Sequence, residues 1–164
     1  MAHLDHTKIG FIGFGNMASA LADGFIASGK VPAEHLYACA GHFDALKTRT
    51  EARGMHAAGD AAALVDAADL VVIAIKPVMI ERVLAPLADA LANKPMISVA
   101  AAWDCAAYEN LLPGTRHLST VPNTPVSIGE GVIACEREHT LTADERALAG
   151  ELLGSVGTVV EVES

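Results

Sequence analysis

The segment Lys8-Ile-Gly-Phe-Ile-Gly-Phe-Gly-Asn-Met-Ala18 decides how this chain is read. Its first half, residues 8–13, is a short apolar run ending in glycine, as a buried strand does. Beyond it, Met17, Leu21 and Phe25 recur at helical spacing from Asn16 to Ser28, and Gly29 ends the helix. At the junction lies Gly13-Phe14-Gly15-Asn16-Met17-Ala18, the G-x-G-x-x-A pattern. Following a strand and opening a helix, it reads as a dinucleotide-binding loop. Gly13 permits the tight turn, Gly15 lets the backbone approach a pyrophosphate, and Ala18 lets the helix lie close on the sheet. The unpaired N–H groups that open the helix then meet the phosphates, aided by the helix dipole. The plain alternative is a glycine turn without a ligand.

Outward from this segment the chain alternates. Strands are expected at 35–40, 55–58, 70–75, 96–100 and 116–121, with helices at 44–53, 60–68, 76–91 and 104–111 between them. Leu70-Val-Val-Ile-Ala-Ile75 is continuously apolar, as a strand covered on both faces should be. A seventh strand at 131–135, a capped helix at 143–153 and a last strand at 157–162 complete the pattern. This is an α/β fold, a doubly wound, Rossmann-type and largely parallel sheet with helices on both faces, and residues 1–164 form one such domain. Of the 164 residues 52% are hydrophobic and 19% charged, which excludes disorder as the main state.

Twenty acidic residues against eleven Lys and Arg give a net charge of −9, the wrong sign for a nucleic-acid binder. No apolar run approaches the length of a membrane span, and residues 1–8 lack a signal-peptide pattern, so a cytoplasmic protein is expected. Cys39, Cys105 and Cys135 are odd in number and widely spaced, and read as reduced, buried residues. His3 and His6 flank Asp5 in what reads as a solvated tail rather than a metal site. His56, His117 and His139 stand alone in the sequence and read as structural or surface residues.

The second strand carries information about the coenzyme. A site for NAD wants a carboxylate at that strand's end, where the chain has Ala40-Gly41-His42 instead. Glu34 precedes the strand and Asp44 is expected to cap the next helix. Small residues with His42, Lys47 and Arg49 nearby suit a 2′-phosphate, so NADP, with NADPH preferred and NADH possible, is the expected coenzyme. The alternative for Lys47 and Arg49 is a solvated helix face. Two further segments end strands at the carboxyl edge, where open α/β sheets bind ligands. In Ala74-Ile75-Lys76-Pro77 the lysine can meet a phosphate or a ribose hydroxyl, or simply reach solvent. In Val121-Pro122-Asn123-Thr124-Pro125 two prolines fix the loop, and the Asn123 amide and Thr124 hydroxyl can orient a nicotinamide or substrate, unless the loop is only a turn.

Together, Ile9–Ala18, Val72–Pro77, Ser98–Ala102, Val121–Pro125 and Gly129–Gly131 resemble the N-terminal domain of the pyrroline-5-carboxylate reductase family, in order and spacing over nearly the whole chain. The resemblance implies hydride transfer from NADPH or NADH to the imine carbon of pyrroline-5-carboxylate, giving L-proline. It implies pyrophosphate at Phe14 to Met17, the adenosine ribose near Ala40 to His42, and the nicotinamide side at Ala74 to Pro77 and Ala100, Ala101 and Ala102, with Val121, Pro122 and Asn123 closing that pocket. The family usually has glycine near position 102, whereas Ala102-Trp103 here would narrow the pocket. Family members continue into an all-helical domain that makes the dimer and holds substrate with a Ser/Gly-rich loop and a Gly-Thr-Thr segment, and nothing in this chain matches either. The resemblance therefore implies the cofactor half of a homo-oligomeric reductase, monomeric or weakly dimeric and inactive or weakly active by itself.

No catalytic residue is assigned. A protonated cyclic imine is already electrophilic, so the reaction asks for positioning and exclusion of water more than for a strong acid. The chain has no G-x-S-x-G, and nothing beside Cys105 or Cys135 argues for thiolate chemistry. Two other readings share the fold: a related dehydrogenase or deazaflavin reductase of different substrate, and a non-catalytic module that senses NADP(H).

Overall fold

The computed structural model describes residues 4–163. One eight-stranded sheet runs through it in the order β3-β2-β1-β4-β5-β6-β7-β8, with β1 at Ile9–Ile12, β2 at Leu36–Cys39, β3 at His56–Ala57 and β4 at Leu70–Ile73. The remaining strands are β5 at Pro95–Ser98, β6 at Arg116–Val121, β7 at Gly131–Glu136 and β8 at Gly157–Val162. The first six pair in parallel, with Ile9 opposite both Leu36 and Leu70. Strand order reverses between β1 and β4, the position at which doubly wound sheets open a ligand crevice at their carboxyl ends.

β7 runs antiparallel to β6, with Val121 opposite Ala134. Residues 122–130 are too short for a parallel crossover, which takes a dozen or more residues, and they fold into a 3-10 helix at Thr124–Ile128 that turns the chain back. β8 returns parallel to β7 because a full helix, Ala143–Gly154, connects them. That helix opens with a reciprocal capping box between Thr142 and Glu145.

Side-chain alternation along the strands divides the core into two layers. Ile9, Phe11, Val72 and Ile97 face α1 (Asn16–Ala27), α2 (Phe43–Glu51) and the Ala143–Gly154 helix, burying Leu21, Phe25, Leu46 and Leu152. Ile12, Val71, Ile73 and Met96 face the other way, onto α3 (Ala61–Ala67), α4 (Ile80–Leu84), α5 (Ala88–Leu91) and α6 (Cys105–Leu111). The second layer stops short of β7 and β8. There Val132, Val160 and Val162 stay exposed on the face away from α7 (Ala143–Gly154).

Three expectations are corrected. The helix expected over 76–91 is broken into a 3-10 turn at Pro77–Met79, α4, a second 3-10 turn at Ala85–Leu87 and α5. Pro86 explains the interruption, since its ring removes an amide donor and clashes with the preceding turn. Asp44 does not cap α2: His42 occupies that position and caps with no side-chain bond, while Asp44 lies in the first turn. The fifth strand ends at Ser98 rather than residue 100, because the Ser98 hydroxyl accepts from the Ala100 amide and bends the chain. Asp60 does cap α3, accepting from the Ala63 amide at 2.8 Å.

Candidate coenzyme crevice

The glycine loop is built so that backbone, not side chains, faces outward. Gly13 has φ +94°, and a Cβ there would meet the Ala74 carbonyl oxygen at 2.7 Å, so the turn between β1 and α1 closes against the loop after β4 only with glycine. Gly15 differs: its φ is −84° and nothing lies within 4 Å of a Cβ built on it. The space above it is open. Gly15 caps α1 without a side-chain bond, and no acidic residue occupies the first turn, leaving the amides of that turn directed at the opening. An anion fits there, since helix dipole and amide donors act together.

Phe14 contributes its backbone, because its ring is buried and lies edge-on to Phe11 with centroids 5.9 Å apart. From the outside, the Arg49 and Arg53 guanidinium groups cover that ring at 5.0 and 5.6 Å. Arg49 Nη1 also donates to the Phe14 carbonyl oxygen, and Arg53 is paired with Asp23 at 2.7 Å. The sequence suggested Arg49 for a 2′-phosphate; its guanidinium instead braces the glycine loop. Lys47 lies 3.9 Å from Glu51 on an exposed helix face. Ala40, Gly41 and His42 are exposed where β2 ends, and Glu34 lies at the opposite end of that strand.

Across the crevice, Ala74 and Ile75 are half-buried and Lys76 and Pro77 exposed at the end of β4. Ala100 is buried and Ala101 exposed after β5, and Ala102 has φ +65°, the left-handed region that favours glycine. Trp103 follows. Its indole Nε1 donates to the Pro77 carbonyl at 3.2 Å, its ring lies 5.1 Å from Tyr108, and its own carbonyl accepts from the Ser119 hydroxyl at 2.7 Å. Behind it is a cavity of about 180 Å³ lined by Ala100, Trp103, Ser119, Val121, Glu136 and Val162 among others. Asn123 has an occupation the sequence did not announce: its side-chain oxygen accepts from the Val132 amide at 2.8 Å, fixing the β6–β7 turn. Val121 and Asn123 are exposed and Pro122 half-buried. The expected residues thus line one sheet edge as two groups, the glycine loop with residues 40–42, and residues 74–77, 100–103 and 121–123.

His117 does not stand alone. Its buried ring lies 5.5 Å from Tyr108, and Nε2 is 2.9 Å from a Glu109 carboxylate oxygen. Tyr108 Oη and Ser98 Oγ share a hydrogen bond of 2.6 Å beneath the loop that carries Trp103. Burial pushes the Tyr108 hydroxyl up to about 12, against the opposing Ser98 bond. All three cysteines are free and buried. Burial, with Asp60 adding and a Gly13 backbone bond opposing, lifts Cys39 to about 11, and burial with the carboxylates of Glu138, Glu136, Glu109 and Asp104 does the same for Cys105. Such thiols stay protonated and are not nucleophiles at neutral pH. His3 lies outside the described residues. Among those described, no group of three or more His, Cys, Asp or Glu could hold a metal ion, and no helix is long and apolar enough to cross a membrane.

The family model described as "NADP oxidoreductase coenzyme F420-dependent" matches residues 8–102, from the start of β1 to the loop after β5. Pyrroline-5-carboxylate reductase of Treponema pallidum is 39% identical over 161 residues, covering 95% of this chain and 60% of that protein. The solved structure of a pyrroline-5-carboxylate reductase from Coxiella burnetii superposes with a TM-score of 0.86 at 32% identity, over 96% of this chain and 59% of that one. Pyrroline carboxylate reductase of Plasmodium falciparum, solved with NADP bound, gives a TM-score of 0.88 at 24% identity over 98% and 59%, a likeness of fold. The chain spans about three fifths of the length of these relatives. By this match the chain belongs to the family of NADP oxidoreductases described as coenzyme F420-dependent, and along nearly its whole length it resembles the N-terminal part of pyrroline-5-carboxylate reductases.

Proposed function

We propose that this chain binds NADP(H) across the carboxyl edge of its sheet and serves as the coenzyme half of a reductase that delivers hydride to the imine carbon of 1-pyrroline-5-carboxylate. The observation that carries the reading is the open space above Gly15, set against the uncapped amides of α1. Amides of residues 15–17 would hold the pyrophosphate. The exposed residues Ala40, Gly41 and His42, with no carboxylate among them and the uncapped start of α2 behind, favour a 2′-phosphate over a bare ribose. Residues 74–77, 100–101 and 121–123 would flank the nicotinamide, whose dihydro form supplies the hydride. The chain's part in that step is to bind, orient and exclude water, since a protonated imine needs no strong acid.

The substrate rests on the relatives, which are pyrroline-5-carboxylate reductases at up to 39% identity. The family's helical substrate domain would complete the site, and the exposed Val132, Val160 and Val162 support further protein packing beside it. A coenzyme F420 reductase is the second reading, favoured by the family description. Titration of the chain with NADPH and with reduced F420, followed by assay for pyrroline-5-carboxylate reduction in the presence and absence of the helical domain of a relative, separates them. NADPH binding with turnover only when the helical domain is supplied is the expected result. Binding of reduced F420 alongside NADPH, with no reduction of pyrroline-5-carboxylate in either arm, contradicts it and favours the second reading.

A further inference from the structure

We infer that Trp103 is a positioning residue for the nicotinamide half of the coenzyme, locking together the two loops that flank it; the inference rests on the coenzyme reading above. The loops that follow β4 and β5 belong to different β-α units, and the last ladder bond between those strands is the one the Val99 amide donates to the Ile73 carbonyl at 3.0 Å, short of Ala74–Pro77 and Ala100–Trp103. Trp103 supplies that link. Its indole N–H reaches the Pro77 carbonyl at 3.2 Å, so a side chain of one loop is tied to the backbone of the other.

Each end of the tie is itself fixed. The Ser119 hydroxyl of β6 donates to the Trp103 carbonyl, and the indole rests on Tyr108, whose own hydroxyl is held by Ser98. Ala102, at φ +65°, is the only non-glycine residue among those described with a positive φ. The left-handed turn redirects the backbone between the exposed Ala101 and Trp103. A strained backbone kept in place by three contacts of Trp103, one of them backed by the Ser98–Tyr108 bond, is the arrangement expected where a side chain must be aimed. With the indole seated, the mouth between Ala74–Pro77 and Ala100–Ala101 has a set width, and Trp103 also lines the neighbouring cavity that Ala100 and Val121 share with that mouth. Trp103 would therefore act on ring placement at the nicotinamide end and leave the adenosine end, at residues 40–42, untouched.

The test uses the whole chain, with Trp103→Phe and Trp103→Ala, titrated by calorimetry with NADPH and with adenosine 2′,5′-bisphosphate, which carries the adenosine half alone. The Phe variant keeps an aromatic ring on Tyr108 and loses the donor to Pro77. We expect NADPH to bind about five- to tenfold more weakly to both variants, the scale of one lost hydrogen bond and its ordering, with the bisphosphate affinity kept within about twofold. As Trp103 is the sole tryptophan of the chain, its emission in the unaltered protein should fall on addition of NADPH and not of the bisphosphate. Unchanged NADPH affinity in both variants, or equal weakening of both ligands, overturns the role of Trp103. Failure of the unaltered chain to bind either ligand overturns the coenzyme reading itself.

Discussion

The guanidinium of Arg49 lies 5.0 Å from the ring centroid of Phe14 and donates to that residue's carbonyl oxygen, tying α2 to the glycine loop between β1 and α1. The bond is made to backbone, within the segment that must present its amides to a pyrophosphate. Arg49→Met keeps the hydrophobic stem and removes the brace. We expect NADPH and NADH to lose affinity equally, by about tenfold, as one charge-assisted bond in a half-exposed setting allows. Loss confined to NADPH would instead assign Arg49 to the 2′-phosphate. Parallel titrations with the two coenzymes decide.

Gly15→Val should leave the fold intact and remove coenzyme binding. At φ −84° a branched side chain is allowed, and apart from its chain neighbours no atom of the protein lies within 4 Å of the added Cβ. The methyl groups would occupy the space the pyrophosphate needs. Unchanged circular dichroism and melting with no detectable calorimetric binding is the expected pair of results, and retained affinity would remove the site from this loop.

Ala102→Gly should stabilise the protein by about 0.5–1 kcal/mol. Alanine in the left-handed region costs roughly 1–2 kcal/mol, partly offset by the roughly 0.5–1 kcal/mol of extra freedom glycine gives the unfolded chain. Urea denaturation measures the difference, and a lower midpoint would show that residue 102 is not held at positive φ.

Stability should fall as the solution becomes strongly alkaline. Cys39 and Cys105 are raised from 9.0 to about 11 and Tyr108 from 10.0 to about 12. Below pH 9 these groups are protonated in both folded and unfolded chains, and their contribution is fully present. Above it the unfolded chain releases protons that the folded chain retains, so stability declines from pH 9 and is lost as pH passes through the folded values, near 11 to 12. Tyr108→Phe should flatten the part of that decline above pH 10, at a cost of about 1 kcal/mol for the lost Ser98 bond. A denaturation midpoint as steep in the variant as in the parent would contradict the assignment.

Periodicity and glycine placement carried most of the fold. The alternation of apolar strands and helices places all eight strands within two residues of where they lie, and Arg116–Val121 and Gly157–Val162 without any offset. Pro86 was visible and should have broken the helix expected over 76–91. The direction of β7 was less accessible, because it depends on the shortness of residues 122–130 rather than on any pattern within the strand. Within the candidate site, the backbone positions were legible and the side-chain occupations were not. Spacing puts Arg49, Asn123 and Trp103 near the crevice, yet their bonds to Phe14, Val132 and Pro77 join residues distant in sequence or carried on different elements. A local pattern holds no record of such pairs. His117 is buried, in keeping with a structural residue, but its partners Tyr108 and Glu109 on α6 were not legible for the same reason, since they come within reach only when β6 packs beneath that helix.

In the function proposed above, the crevice above Gly15 takes an NADP-type coenzyme. Calorimetric titration of the chain with NADPH and NADH tests it most directly. We expect saturable one-to-one binding of NADPH at least about tenfold tighter than NADH, a difference of about 1.4 kcal/mol from the 2′-phosphate at residues 40–42. Tighter binding of NADH, or binding of neither coenzyme, would contradict it.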